Sequence, residues 1–330
     1  MRKLSQIGEF GYLKRLLPRL YWPASLRKQL VIGPGDDAGV VSWKGDTVLV
    51  ATTDTLVEGT HFERRWQSPE DLGYKAMAVN LSDLAAMGAV IPIGALITAG
   101  LPGDTSVNYV DKLYKGLENC AKMWKTGFLG GDTIRSRQLL VSVTLFGAAR
   151  PNELIRRGGA HPGDIIMATG SFGNARAGME ILRKGLHKER WETPLFKAFQ
   201  RPNPKLSQGM LLGRKRWATS MIDSSDGLKA SVRLIAKASG TGARIDLDRV
   251  PVSRALARWA AKSRFSIWEY VLNGGEEYEL VFTVPKRLVG LVQKNIGAAV
   301  IGEILPKAEG CWAVLGGKKI PLKDYGYRHF

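Results

Sequence analysis

The chain has 330 residues, 45% hydrophobic and 24% charged, a composition typical of folded globular proteins that excludes extended disorder. Its 48 lysines and arginines outnumber 30 aspartates and glutamates, and the formal net charge of +18 favours anionic ligands or nucleic acid. Because the basic residues are dispersed and no RGG-like or aromatic–basic segment occurs, we expect steering of small anions rather than a dedicated nucleic-acid surface.

Helices and strands alternate in the first half of the chain. Apolar residues at helical spacing predict helices over residues 4–20, 70–87 and 107–126. Apolar and β-branched runs predict strands over residues 47–53, 91–98, 127–129 and 139–148. The uncharged run 84–102 is long enough to raise the question of a membrane span, but its glycines and proline favour a helix end and a buried strand. We therefore expect no membrane span.

A glycine-rich turn segment at 156–164 predicts a boundary between two domains, residues 1–150 and 151–330. In the second half, strands are predicted over residues 165–169, 219–222, 243–246 and 278–284, and helices over 175–184, 227–239 and 254–262. The charged segment 184–197 is predicted to form a surface loop or helix. This alternation indicates a mixed α/β (α+β) fold of two domains.

The cysteine content bears on the cellular compartment. Cys120 and Cys311 lie far apart without metal-ligand spacing, which argues against a disulfide framework and favours a reducing environment. The first ten residues lack the apolar core of a signal peptide. We therefore expect a cytoplasmic protein.

Short acidic motifs built on small residues recur along this basic chain. They are GDDA at 35–38, TTDT at 52–55, NLSD at 80–83, GGDT at 130–133 and DSSDG at 223–227. Carboxylates flanked by Gly, Ser or Thr can be approached closely by a hard cation or by a phosphate. Each motif alone is also typical of a turn or a helix cap, but together they favour a magnesium and nucleotide site.

Other nucleotide-binding patterns fit the sequence poorly. The chain has no Walker A motif and no protein-kinase HRD or DFG set. The segment 33–38 superficially matches G-x-G-x-x-G/A, but Asp36 and Asp37 would repel a pyrophosphate, and a strand is expected to follow. Asp223 and Asp226 are spaced to straddle a metal, with helix capping by Ser225 or Asp226 as the structural alternative.

The ordered set of motifs resembles the thiamine-monophosphate kinase family. The matching strings are GDD, TTDTLVEGTHF, YKAMAVNLSDLAAMGA, GGDT, RRGGAHPGD, DSSDGL and GGEEYEL, and the resemblance runs from Gly8 to Phe330. GDD-like and GGDT-like elements are shared with related enzymes such as aminoimidazole ribonucleotide synthetase, selenophosphate synthetase and HypE. TDTLVEGTHF and NLSDLAAMGA are more specific to the thiamine-phosphate enzymes.

The resemblance implies a reaction, cofactors and an architecture. The expected reaction transfers the γ-phosphoryl of ATP directly to thiamine monophosphate, giving thiamine diphosphate and ADP, with several Mg²⁺ ions and no phosphoenzyme. The expected fold is the two-domain architecture of aminoimidazole ribonucleotide synthetase. N-terminal sheets pair across a homodimer axis, and the nucleotide lies in the cleft between domains.

The same resemblance implies site residues at matching positions. The expected metal ligands are Asp36, Thr52, Thr53, Asp54, Asp83, Asp132, Asp223 and Asp226. The expected ATP contacts are Tyr114, Gly131, Asp132, Arg157 and Ser225. The expected thiamine monophosphate contacts are His61, Glu276 and Tyr325. Asp54 and Asp132 would act in catalysis through metal, and no residue is expected to be a covalent nucleophile.

Departures from the family pattern are few. Pro34 and Gly39 change the surroundings of GDD, Glu277 stands where Asp is usual, and Ser224 replaces an aliphatic residue. Two alternatives remain open: a related ATP-dependent enzyme acting on another small substrate, and a basic nucleic-acid-binding protein. The chain lacks the cysteines near the N-terminus and at the C-terminus that selenophosphate synthetase and HypE would require.

Overall fold

The computed structural model describes residues 4–186 and 189–322. Its helices there are α1 (Leu4–Leu16), α2 (Ala24–Gln29), α3 (Pro69–Ala86), α4 (Val107–Met123), α5 (Asn174–Arg183), α6 (Thr193–Gln200), α7 (Leu206–Lys215), α8 (Leu228–Ser239), α9 (Arg254–Ala260), α10 (Ile267–Asn273) and α11 (Val289–Ile296). The strands are β1 (Leu30–Ile32), β2 (Gly39–Ser42), β3 (Val48–Val57), β4 (Ile91–Leu101), β5 (Phe128–Arg135), β6 (Leu140–Ala149), β7 (Ile165–Ala168), β8 (Ser220–Asp223), β9 (Gly242–Asp246), β10 (Leu280–Val284), β11 (Ala299–Leu305), β12 (Cys311–Leu315) and β13 (Lys318–Pro321).

The first sheet has six strands in the order β1-β2-β3-β6-β4-β5. Neighbouring strands are antiparallel except β4 and β5, which run parallel. In β6 every second residue, from Val141 to Ala149, is buried, because alternate side chains of a strand point to opposite faces. One face is therefore the core face, and the other carries residues such as Ile91 and Leu96, which are exposed.

Helix α3 is the central element of the molecule. It begins where Ser68 Oγ accepts a hydrogen bond from the Asp71 amide, with Pro69 in the first turn. It contacts α4, β3 and β6 of the first half and α7 and β8 of the second half. Its approach to α4 requires glycine, because a Cβ at Gly73 would lie 1.9 Å from the Leu113 carbonyl oxygen. Residues of α3 can therefore reach both halves of the chain.

The second sheet has seven strands in the order β13-β12-β9-β11-β7-β10-β8. Its strands pair antiparallel except β9 and β12. Helix α8 packs on β8 and β9, and α5 packs on α6. The hydrophobic cluster around α3 and the first sheet also contains Met221 and Phe282 of the second sheet, so the two sheets share one continuous apolar core.

The predicted mixed α/β class with two sheets is confirmed, and α3 and α4 occupy the helices predicted at 70–87 and 107–126. The main difference concerns GGDT, which lies inside β5 and not beyond a strand that ends at 129. The glycines adopt an extended conformation there because β5 pairs with β4 as an edge strand. No helix among residues 4–186 and 189–322 is long and apolar enough to cross a membrane.

Candidate active site

A cavity of about 730 Å³ opens beside α3, between the DSSDG segment and the end of α10. Six of the residues implied by the family resemblance line it: Asp54, His61, Asp83, Ser225, Asp226 and Glu276. They come from β3, the turn after it, α3 and two segments of the second half. Folding therefore brings together motifs that are more than two hundred residues apart in the sequence.

Three carboxylates form a cluster at one side of this cavity. Oxygens of Asp37, Asp83 and Asp223 all lie within 4.8 Å of one another. The Thr52 hydroxyl donates to Asp83, and Ser82 Oγ donates to Asp223 Oδ2 over 2.7 Å. These hydrogen bonds fix the orientation of the carboxylates before any ligand binds.

Burial shapes the protonation of these acids. It raises the pKa of Asp37 to about 6, although the Arg157 guanidinium 2.6 Å away opposes the shift. Burial also raises the pKa of Asp54 to about 6, with Asp226 adding repulsion, and that of Asp223 to about 8. The pKa of Asp83 lies well above its usual range for the same reason, with Asp54 and Asp223 contributing. A bound cation would therefore favour the ionised form of this cluster.

The donor set fits a divalent hard cation. Asp37 Oδ2 is buried and accepts no hydrogen bond from any residue within 4–186 and 189–322. Carboxylate oxygens are the ligands that Mg²⁺ and Ca²⁺ take in proteins, and a small cation satisfies several converging oxygens at once.

We expect the stability of the metal-free protein to fall with rising pH. Acids with a raised pKa stabilise the folded state fully below their unfolded pKa, near 3.8. That stability is lost as pH rises through about 6 for Asp37 and Asp54 and about 8 for Asp223. Because a metal binds the deprotonated carboxylates, Mg²⁺ should raise the Tm more at about pH 9 than at about pH 5.

Thermal unfolding with EDTA and with Mg²⁺ at the two pH values measures this effect. Asp223→Asn should remove the upper part of the pH dependence. Asp246→Asn, the same chemical change at the end of β9, should leave it in place, since Asp246 lies outside the cavity and pairs with Arg244. Equal Mg²⁺ shifts at both pH values would contradict metal binding by these acids.

Polar groups on α3 hold the site together, and Asp83 is the one among them whose role was predicted from the sequence. Asn80 Oδ1 accepts from the Asp54 amide at 3.1 Å, and Asn80 Nδ2 donates to the Ala76 carbonyl at 3.0 Å. Asn80 and Ser82 are fully buried. The available signal was the presence of polar residues within a helix that is otherwise apolar on every side.

The GGEEYEL segment packs closely against DSSDG. Glu276 N donates to Ser225 O at 2.6 Å, and Tyr278 N donates to Ser224 O at 3.0 Å. Glu276 and Tyr278 have φ of 62° and 52°, a left-handed conformation that is strained for residues with a side chain and is typical of functional sites.

Alternate side chains of GGEEYEL face opposite ways. Glu276 and Tyr278 line the large cavity, whereas Glu277 and Glu279 line a separate cavity of about 180 Å³. Glu277, the departure from the family pattern, accepts from the Ala175 amide at 3.0 Å, and Lys205 Nζ lies 3.1 Å from Glu279. The substitution at 277 therefore faces away from the large cavity.

The structure decides the capping alternative considered for Ser225 and Asp226, and it also orients the His61 ring. Helix α8 begins after Gly227, which has no side chain, so neither Ser225 nor Asp226 occupies the N-cap position considered above. His61 Nδ1 accepts a hydrogen bond from the Val57 amide at 3.1 Å. In its neutral form the His61 ring then carries its proton on Nε2.

Some implied ligands hold other groups in place. Both Asp36 carboxylate oxygens accept from the Arg157 amide at 3.2 Å, whereas the neighbouring Asp37 enters the cluster. Arg157 also donates from its guanidinium to Asp37 and to the Gly35 carbonyl. Thr53 Oγ1 bonds the Val143 carbonyl. The metal and ATP roles of Asp36, Thr52, Thr53 and Arg157 stay predictions.

Asp132 lies away from the cavity within one chain. Asp54 of β3 pairs with Val143 of β6, and Val143 pairs with Ile97 of β4. Ile97 in turn pairs with Gly131 of β5. Three strand spacings separate Asp54 from Gly131, about 14 Å along the sheet. Asp132 is the next residue, so its side chain points to the opposite, exposed face.

Three further implied contacts are not among the described residues that line the large cavity. Gly131 has a structural need for glycine, since a Cβ there would lie 2.0 Å from the Ile97 carbonyl oxygen. Tyr114 is half-buried on α4 and packs against the hydrophobic core. Tyr325 lies outside the described residues. Their ligand contacts stay predictions.

Comparison with known proteins identifies the family to which this chain belongs. Models of the AIR synthase related protein N-terminal and C-terminal domains match residues 35–149 and 161–310. The thiamine-monophosphate kinase of Synechococcus elongatus is 35% identical over 100% of this chain and 98% of its own length. The thiamine-monophosphate kinase of Escherichia coli K12 is 36% identical over 98% of this chain and 98% of its own length. A structure described as AaThiL complexed with AMPPCP and TMP is 32% identical, with a TM-score of 0.86 over 100% of this chain and 99% of its own. The chain therefore belongs to the thiamine-monophosphate kinase family of AIR synthase-related proteins.

Proposed function

We propose that this protein transfers the γ-phosphoryl of ATP to the phosphate of thiamine monophosphate, giving thiamine diphosphate and ADP. The observation that carries the proposal is the convergence of Asp54, Asp83, Ser225, Asp226 and Glu276 on one cavity in a chain of this family. The related structure described with AMPPCP and TMP supports ATP as co-substrate and thiamine monophosphate as acceptor.

Asp37, Asp83 and Asp223, with Asp54 and Asp226 nearby, would hold Mg²⁺. When bound, Mg²⁺ neutralises the phosphate oxygens of both substrates and lowers the charge repulsion between them. Thr52 and Ser82 keep the Asp83 and Asp223 carboxylates oriented, and Asn80 holds the Asp54 backbone amide, so that little reorganisation is needed during the reaction.

The remaining groups of the cavity position the substrates. The acceptor phosphate is already a nucleophile, so no strong base is required and the main task is in-line alignment. The Ser225 hydroxyl is placed to donate to a phosphate oxygen, and His61 offers Nε2–H at the same cavity. The Glu276 carboxylate is complementary to the positive thiazolium ring of thiamine.

We further propose a homodimer built on the exposed face of the first sheet. Ile91, Ile93 and Leu96 of β4 and Phe128 and Leu129 of β5 are exposed apolar residues. Exposed apolar residues on two neighbouring strands are typical of a protein–protein interface. Asp132 points to this same face, so we propose that Asp132 of the partner subunit completes the metal and ATP site of each chain.

We also propose residues 1–150 and 151–330 as the two domains. The strands of the first sheet lie within residues 30–149 and those of the second within 165–321, which supports this division. The shared apolar core around α3 favours a fixed arrangement of the domains.

The purified protein, incubated with Mg-ATP and thiamine monophosphate, is expected to produce thiamine diphosphate and ADP in equal amounts. Chromatography of the products measures both. Reactions without Mg²⁺, without acceptor, or with Asp54→Ala serve as controls and should yield no thiamine diphosphate. ATP consumption without thiamine diphosphate would indicate a different acceptor and would refute the proposed reaction.

A further inference from the structure

Lys75 places a positive charge in the middle of a buried helix. Its side chain is 0% exposed, and the neighbouring α3 residues from Leu72 to Ser82 are all buried. Lysine is almost never fully buried unless an oppositely charged group compensates for its lost hydration. Burial lowers the pKa of Lys75, and the Glu276 carboxylate opposes that shift. Neither the proposed reaction nor the family resemblance assigns a role to this lysine.

The partners of Lys75 belong to the second half of the chain. Lys75 Nζ lies 2.7 Å from Glu276 Oε1 and 3.8 Å from the centroid of the Phe199 ring on α6. Lys75 does not line the large cavity, whereas Glu276 does, with 24% of its side chain exposed. The lysine therefore contacts Glu276 from the protein interior and leaves part of the carboxylate available to a ligand.

Glu276 needs such a contact for two reasons. Its backbone has a φ of 62°, so the position of the side chain depends on the surrounding structure. The same cavity contains the acidic side chains of Asp54, Asp83 and Asp226, none of which supplies a positive charge to the Glu276 carboxylate. An ammonium group held at 2.7 Å favours a single rotamer of the Glu276 side chain.

We propose that Lys75 is a positioning residue that holds the Glu276 carboxylate toward the cationic part of the acceptor substrate. This inference rests on the proposed thiamine monophosphate kinase activity. Lys75 then determines the affinity for the acceptor without touching it. ATP binding is not expected to depend on Lys75, since the carboxylate cluster is oriented by Thr52 and Ser82 and not by this ion pair.

Lys75→Met tests the proposal, because methionine fills a similar apolar volume and removes the charge. The KM for thiamine monophosphate should rise about 10- to 100-fold, the factor expected when the ion pair that orients the Glu276 carboxylate is lost. The KM for ATP should stay within about twofold of wild type. Steady-state kinetics with each substrate varied in turn measures both values.

Lys205→Met is the matched control. Lys205 pairs with Glu279 at 3.1 Å on the same segment, but this ion pair borders the smaller cavity. Its loss should leave both KM values within about twofold of wild type. Tm values measured in parallel compare the structural effects of removing the two buried ion pairs.

A double-mutant cycle with Glu276→Gln separates positioning from general stabilisation. Glu276→Gln alone should raise the KM for thiamine monophosphate by a similar factor, and Lys75→Met/Glu276→Gln should add no more than about twofold to it. The comparison of the double variant with Glu276→Gln remains usable if Lys75→Met alone fails to fold, since the double variant buries no unpaired charge.

The role of Lys75 would be overturned by an unchanged acceptor KM in Lys75→Met, by parallel increases in both KM values, or by multiplicative effects in the double variant. An unchanged acceptor KM in Glu276→Gln would do the same. Absence of thiamine diphosphate with the wild-type protein would instead refute the proposed function. The wild-type reaction therefore distinguishes the two failures.

Discussion

Replacing Asp223 with asparagine is expected to reduce kcat for thiamine diphosphate formation by about 10³-fold or more while raising the Tm of the metal-free protein above about pH 8, where the Asp223 carboxyl is ionised. Asp223 is 3% exposed, and its oxygens lie within 4.8 Å of those of Asp37 and Asp83. The amide removes one of three mutually repelling carboxylates and one anionic ligand for Mg²⁺. Because asparagine still accepts from Ser82 Oγ, packing at this position is retained.

The opposite signs of the two effects make this test specific. Activity and thermal unfolding would be measured on the same preparations, with EDTA and with Mg²⁺. Asp246→Asn is the matched control, and it should alter kcat by less than about twofold. A loss of activity accompanied by a lower Tm in EDTA would indicate that Asp223 stabilises the fold and does not bind metal.

Mixing two inactive variants is expected to restore about a quarter of wild-type activity. Asp54→Ala and Asp132→Ala homodimers should each lose about 10³-fold in kcat. In a mixed dimer, one site combines both substitutions, and the other combines intact Asp54 with the partner subunit's Asp132. Random exchange makes about half of the dimers mixed, and one of their two sites is functional.

The experiment requires subunit exchange, by co-expression with two affinity tags or by mild denaturation and refolding. Sequential purification on both tags isolates the mixed dimer, which should reach about half of wild-type activity. A mixture of Asp54→Ala with Asp83→Ala is the control, because both residues lie at the cavity of one chain and no intact site can form. Absence of recovery in the purified mixed dimer of Asp54→Ala and Asp132→Ala would contradict completion of the site by Asp132 of the partner subunit.

Local sequence patterns predicted the elements that carry the site. The apolar periodicity of 70–87 predicted α3, which begins at Pro69 after the Ser68 cap. The DSSDG motif was correctly placed between a strand and a helix, β8 and α8. These features are set by contacts between residues near one another in sequence, so the chain alone contains the information.

Other features depended on which segments become neighbours. GDD contains two adjacent aspartates, and only the packing of Arg157 against Gly35 and Asp36 decides that Asp37 enters the carboxylate cluster. GGDT appeared equivalent to the other acidic motifs, yet the strand order places Asp132 on the exposed face of an edge strand. Lys75 and Asn80 lie in a predicted helix, but each contacts a residue far away in sequence, Glu276 and Asp54 respectively.

The sequence by itself therefore determined the family, the mixed α/β class and most of the acidic residues of the cavity, because these are recorded in short motifs and in periodicity. The tertiary structure decided which carboxylates approach within 4.8 Å, which face of the first sheet carries Asp132, and that Lys75 contacts Glu276. These are long-range relations that depend on sheet order and helix packing. The same burial that assembles the aspartates raises their pKa values, and a buried set of acids at the end of β8 and on α3 favours the binding of a cation there.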